Sequence, residues 1–323
     1  MKKPFLSIDY TKPGKGVKKG ADKRFTFANF FPLLKRKIWG LITTNFLWII
    51  ICFPLIFGFV ALSGNFNFQY QTPASPLWAI ISGAESFSGP DPALAALTGT
   101  SGIQVTMSYA GPVAKVLYWL TALAIFTFGP ANTGMAYITR NYTKEEYVDM
   151  PSDYIRAIKK SFWQSIFLGI IDIIIIGMLL FDAVFFMTYY NDFIMSVFFF
   201  ICLILGIIYI MARPYMYLQL VTFKLPLRKI LKNSFIFALI GIKRNLAGLF
   251  GSLAVIILNL TLYVYIMPLG GLMPFFITLS LCTFITTYAA WPNIKKIMID
   301  PYYKSDDTPK EEIPDDAVFT DRG

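Results

Sequence analysis

This sequence predicts an all-α membrane protein: a bundle of six transmembrane helices with both termini in the cytoplasm. Three observations lead there. Of 323 residues, 56% are hydrophobic and only 15% charged, far from the usage of soluble domains. The apolar residues gather into recurrent runs of about twenty, the length a helix needs to cross the hydrocarbon of a bilayer. The basic residues lie between these runs with a sharp bias: the segments assigned to the cytoplasm hold eleven, five, seven and five of them, 28 of 29, and only Lys115 falls at the outer end of a span. The net charge of +10 therefore reads as topology and not as nucleic-acid binding.

Residues 1–37 are read as a basic cytoplasmic arm and interfacial segment. Its first part is rich in Gly, Pro and Lys and lacks the spacing of a phosphate loop. It serves as a topology signal touching anionic lipid or as a partner-docking arm. It is not read as a cleavable signal, because 37 polar or mixed residues precede the first apolar run. The six-span membrane domain covers residues 38–291, with spans at about 38–62, 113–139, 162–188, 193–217, 245–267 and 272–290. Residues 63–112 form an external insert with no basic residue and only Glu85 and Asp91 as acids. Short helices are expected near 76–81 and 92–97. The insert is either a cap over the helices or, through Phe66, Phe68, Tyr70, Trp78, Phe87 and Tyr109, a docking or sugar-stacking surface. Pro151-Ser152 signals the start of an interfacial helix. Leu227, Ile230, Leu231, Ser234, Phe235, Ala238 and Ile242 follow helical spacing in a second one, whose basic face holds Arg228, Lys229 and Lys232, a candidate cytoplasmic contact helix. The linker Pro268 to Gly271 between the last two spans is short, and Trp291-Pro292 closes the sixth. Residues 292–323 form an acidic cytoplasmic tail, of which residues 300–323 are expected to be disordered.

The stretch from Thr127 to Arg140 is the organising one. Gly129 and Pro130 predict a broken or kinked helix in the middle of an apolar run, and the small residues around them predict close helix packing. Asn132 needs a partner where no water reaches. Asp172 lies about 15 Å along the third span at helical rise, where an ionised carboxylate costs roughly 2.5–3.5 kcal/mol. Matching depths groups it with Asn132, Asn45 and Asn259 as a candidate intramembrane polar cluster, either a structural knot or a proton or substrate site. Asp182 and Lys115 fall at similar outer depth and are expected to pair or to be solvated. Gly248 and Ser252 mark a packing face, and Arg213 an anchor at a span end.

The chain has no histidine, hence neither the usual general base nor the commonest metal ligand. It lacks GxSxG, zinc and phosphate-loop motifs. Cys52, Cys202 and Cys282 lie inside apolar runs and read as reduced packing residues. No enzyme, cofactor or metal is expected.

The run GVKKGADKRFTFANFFPLLKRKIWGLITTNFLWIIICFPLIFG resembles the start of YesL-like membrane proteins of Gram-positive bacteria, and TFGPANTGMAYITRNYTKEEYVDMPSDYIRAIKKSFWQS resembles the segment that follows. Pro54 and Thr127-Phe128-Gly129-Pro130-Ala131 match the two ends of that family's Pro-x-x-Thr-x-Gly-Pro-Ala pattern, here separated by the external insert. The likeness covers most of residues 14–58 and 127–245. It implies an accessory role beside a carbohydrate importer of the ATP-binding-cassette type, in contact with its permease, ATPase or solute-binding protein, and it implies no catalytic residues. The expected function is therefore an accessory or assembly protein of the plasma membrane. The alternative is a stand-alone small-molecule transporter or channel with a polar path at Asp172 and Asn132.

Overall fold

The computed structural model describes residues 25–89 and 91–301. The glycine-rich arm before Phe25 and the tail beyond Pro301 lie outside the described residues. In chain order the elements are α1 (Phe27–Ile51), α2 (Pro54–Leu62), β1 (Asn67–Pro73), α3 (Trp78–Ser88), α4 (Pro92–Ser101), β2 (Gln104–Ala110), α5 (Pro112–Ala122) and α6 (Ala124–Thr143). Then follow α7 (Ser152–Lys160), α8 (Phe162–Thr188), α9 (Phe193–Thr222), α10 (Leu227–Ile240), α11 (Ile242–Tyr265), α12 (Met267–Met273) and α13 (Leu279–Ile294). Two π-helical turns, Pro274–Thr278 and Lys295–Ile299, lead into and out of α13. Among the described residues, four helical stretches are long and apolar enough to cross a membrane: Phe162–Thr188, Phe193–Thr222, Ile242–Tyr265 and Met267–Ile299. The number rises to 6 if the bent pairs α1–α2 and α5–α6 each count as one span. Exposed Phe181, Phe185, Ile204 and Leu205 line α8 and α9, as helices solvated by lipid require.

The backbone departs from the expected spans at its prolines. α1 runs unbroken from Phe27, across the expected boundary at residue 38, with Pro32 inside it. The pair α1–α2 bends by 75°, and Pro54 opens α2, where a missing N–H costs nothing. The break in the second pair is not at Gly129-Pro130. It is at Leu123, where α5 and α6 meet at 41°, and α6 continues through Pro130. A proline disturbs the turn before it, because its ring presses on the carbonyl four residues earlier, here Phe126. Upstream of it, the Leu123 N–H bonds to Leu120 and the Phe126 N–H to Leu123, both one residue shorter than the α-helical register. The expected linker Pro268 to Gly271 is helical, with Pro268 in the first turn of α12, and the reversal falls at Ile266 (φ −137°, ψ 70°). Nor does Pro292 end the last helix, which continues to Ile294 and into the second π-helical turn.

The chain divides into two compact units. One comprises Met1–Asn45, Met135–Tyr154 and Leu203–Gly323; the other comprises Phe46–Gly134 and Ile155–Cys202. The first has a core of Tyr215, Leu218, Phe237, Ala290, Trp291 and Ile294, with the Tyr215 and Phe237 rings stacked 5.4 Å apart. Its α11 and α13 pack through Gly248, over which Ala289 sits, so that the small-residue face is a packing face.

The second unit holds the insert of residues 63–112. Both expected short helices are present, as the longer α3 and α4, and Asp91 caps α4 by accepting the Ala93 N–H at 2.9 Å. A two-stranded antiparallel sheet was not expected. It pairs Phe68 with Tyr109, Gln69 with Ser108 and Tyr70 with Met107. Alternation then puts Phe68, Tyr70, Met107 and Tyr109 on one face and the glutamines, Ser108 and Thr106 on the other. In the same unit α6 crosses α8 where Gly129 meets Gly169. A Cβ on Gly129 would collide with the Ser165 carbonyl oxygen, and one on Gly169 with the Gly129 backbone. By contrast, a Cβ on Gly177 or Gly206 would meet nothing within 4 Å. Gly169→Ala is therefore expected to destabilise the protein by about 1–3 kcal/mol, as overpacking does. Gly177→Ala and Gly206→Ala should leave the thermal unfolding midpoint in detergent unchanged or slightly raised.

Candidate functional site

Buried polar side chains in the apolar helices are where function and packing compete, since each must find a partner inside the fold. In the first unit, Asn45 is fully buried and is satisfied at both ends of its amide. Nδ2 donates to the carbonyls of Pro274 (2.9 Å) and Phe275 (2.7 Å), and Oδ1 accepts the Ser280 N–H at 3.0 Å. These three groups belong to the π-helical turn and its exit, where the widened backbone aligns poorly with its own ladder. Asn259 donates to Thr278 Oγ1 at 3.3 Å in that same turn, and Thr139 and Thr287 share a hydroxyl contact of 3.2 Å.

The densest polar knot lies where α9, α11 and α13 meet. Tyr215 donates its hydroxyl proton to Asn245 Oδ1 at 2.6 Å and accepts from Asn293 Nδ2 at 2.7 Å. Asn245 Nδ2 donates to Phe237 O (3.0 Å) and Ala238 O (2.8 Å), the last carbonyls of α10, so it closes that helix where Gly241 ends it. Beside it is a cavity of about 30 Å³ lined by Ile210, Pro214, Asn245, Gly248, Ser252 and Thr286, room for an ordered water. Arg140 plays the capping part for α9. It is only 6% exposed, with Nη1 donating to Val221 O (2.9 Å) and Thr222 Oγ1 (3.2 Å), while Nε and Nη2 hold Asn141 Oδ1. A cation on the final carbonyls of a helix is favoured by their partial negative charge. Beyond α6, Glu145 has φ +61° in a C-terminal motif where the Glu146 N–H reaches Asn141 O and the Glu145 N–H reaches Tyr142 O. Glycine is the usual residue there; Glu145 instead pairs with Arg36 at 3.1 Å.

In the second unit, Asn132 accepts from Trp48 Nε1 at 3.3 Å and donates to Phe128 O at 2.9 Å. Asp172 is fully buried in α8. The four residues grouped by depth are thus divided: Asn45 and Asn259 in one unit, Asn132 and Asp172 in the other. Each asparagine has local partners of its own, which a depth estimate along single helices does not register. Lys115 is exposed and Asp182 half-buried, and among the described residues no ion pair joins them. Arg213 stacks over Tyr217 at 5.7 Å. Among the described residues no group of three His, Cys, Asp or Glu could hold a metal ion. Sequence reasoning missed the Tyr215–Asn245–Asn293 knot; the available signal was Gly241 splitting two helical patterns with an asparagine four residues on.

A family model described as "Protein of unknown function, DUF624" matches residues 112–183, from the start of α5 into α8. DUF624 is the family of YesL-like proteins. No curated protein and no solved structure matches the chain. The matched segment contains Gly129, Asn132, Gly169 and Asp172 but not the knot around Asn245. The knot therefore offers a structural test by itself. Asn245→Ala leaves the Tyr215 hydroxyl and two carbonyls short of a partner and should cost about 3 kcal/mol, with each orphaned buried group worth about 1–3. Asn293→Ala removes a single donor and should cost about 1 kcal/mol. Thermal unfolding of the two variants in one detergent gives the comparison.

Proposed function

We propose that the protein is an integral membrane accessory or assembly protein, of six spans with both termini cytoplasmic, that associates in the plasma membrane with a carbohydrate importer of the ATP-binding-cassette type. The match of residues 112–183 to the family of YesL-like proteins supports the reading. The observation that carries it is α10. Ile230, Ser234, Phe237 and Ala238 bury one side of this helix, while Arg228, Lys229 and Lys232 are exposed on the other. A helix fixed by its apolar side and presenting cations is suited to an acidic surface on a permease or ATPase. The aromatic face of the external sheet offers a second contact, suited to a solute-binding protein. Lipid surrounds the rest.

A stand-alone transporter or channel is the second reading, favoured by the complete burial of Asp172 within a long, mostly apolar helix. In it, Asp172 and Asn132 border a polar path.

Affinity purification in mild detergent, from cells grown on different polysaccharides, should recover permease, ATPase or solute-binding subunits. The triple variant Arg228→Glu, Lys229→Glu, Lys232→Glu should lower that recovery at least tenfold at equal membrane abundance. Recovery of the protein alone would remove the accessory reading. For the second reading, unchanged flux in liposomes carrying Asp172→Asn would take Asp172 out of any path. For the topology, a membrane-impermeant thiol reagent should label Ser86→Cys in intact cells and Lys232→Cys only after permeabilisation.

A further inference from the structure

The cations of α10 are uncompensated within the described fold. Lys224, Arg228, Lys229 and Lys232 are all exposed, and among the described residues the side chain of none makes a hydrogen bond or ion pair. Arg228, Lys229 and Lys232 crowd the first turns of the helix, the end where the backbone already presents positive partial charge. No acidic residue occupies the first turn, and Pro226 provides no side-chain cap.

The polypeptide leaves the described fold beside this helix. Met298 and Ile299 pack on the core that contains Tyr215, Phe237 and Trp291, and Phe223 packs on the same core. Phe237 belongs to α10, and Phe223 immediately precedes Lys224. The segment that follows, residues 302–323, holds seven acidic residues against three basic ones, a net −4 facing the +4 of Lys224, Arg228, Lys229 and Lys232. Its acids Asp306, Asp307, Glu311 and Glu312 begin five residues beyond Pro301. At about 3.3–3.6 Å per extended residue they reach roughly 16–40 Å, enough to cover a helix of 14 residues, which is about 21 Å long.

We propose that the acidic tail docks on the basic face of α10 and occupies it as an intramolecular partner. The tether supplies the tail at an effective concentration on the order of millimolar. A free acidic ligand must exceed that before it gains the helix, so the tail sets a threshold for docking. The basic arm before Phe25 cannot take this place, since it repels the same cations. The contact needs only the charges and the exit point of the tail, and stands whether or not α10 meets an importer.

The test uses the full chain in nanodiscs of neutral lipid. Zero-length carbodiimide crosslinking with peptide mapping should join Lys229 or Lys232 to carboxylates among Asp306, Asp307, Glu311 and Glu312. The products should vanish near 1 M salt, where the screening length falls to about 3 Å. Replacing those four acids, Asp306→Asn, Asp307→Asn, Glu311→Gln and Glu312→Gln, alters only residues beyond Pro301. It should speed acylation of Lys229 and Lys232 by a water-soluble reagent at least fivefold. Lys229→Glu with Lys232→Glu should abolish the crosslinks, and adding Glu311→Lys with Glu312→Lys should restore salt-sensitive crosslinks. Crosslinks confined to lysines of the arm would overturn the proposal. So would lysine protection that survives neutralisation of the tail and follows anionic lipid, which would make lipid the occupant. Failure to recover importer subunits would leave these crosslinks untouched and bears only on the accessory reading.

Discussion

Every interruption of a helix inside lipid leaves backbone carbonyls that no water will satisfy, and this single constraint organises the first unit. Three breaks are answered by three side chains. Asn45 serves the π-helical turn at Pro274 and Phe275, Arg140 serves the end of α9 at Val221, and Asn245 serves the end of α10 at Phe237 and Ala238. Each of these residues lies far in sequence from part of what it touches, or across a helix boundary. Asn45, Arg140 and Asn245 thus act as fasteners that permit the helices to bend and stop.

That arrangement weighs on function. A buried asparagine with all its hydrogen-bonding capacity engaged is unsuited to releasing and rebinding a substrate, because every exchange would orphan a carbonyl. Asn45 and Asn245 fit that description. The places open to partners are on the outside: the basic side of α10 and the aromatic face of the insert's sheet.

An all-α chain with long apolar helices was legible in the sequence because lipid demands long apolar runs, and the starts of α7 and α8 and the gap between residues 188 and 193 fell where the pattern put them. Prolines misled. Pro130 and Pro292 signalled breaks where helices continue, since neighbouring turns can absorb a lost N–H by shifting register, and such shifts leave no mark in hydrophobic periodicity. The strands were readable in principle from the alternation Phe68, Gln69, Tyr70, Gln71, but their partner lies across two helices and pairing is not a local property. Depth along a helix placed four polar residues in a common layer, yet depth carries no information about which neighbour a side chain faces. The knot at Asn245 depends on the exact stop of α10, the least predictable feature of any helix.

The pairing of Asn67 with Ala110, with the Gly111 N–H bonded to Phe66 O, closes the insert at its base. The chain thus enters and leaves α3, α4 and the sheet through two adjacent residues, and to α2 and α5 the whole excursion is a closed loop. The cost of closing a loop grows only with the logarithm of its length. Such a module can be lengthened, shortened or exchanged between related proteins while the helices beneath it keep their packing. The insert and the helices are then free to evolve at different rates.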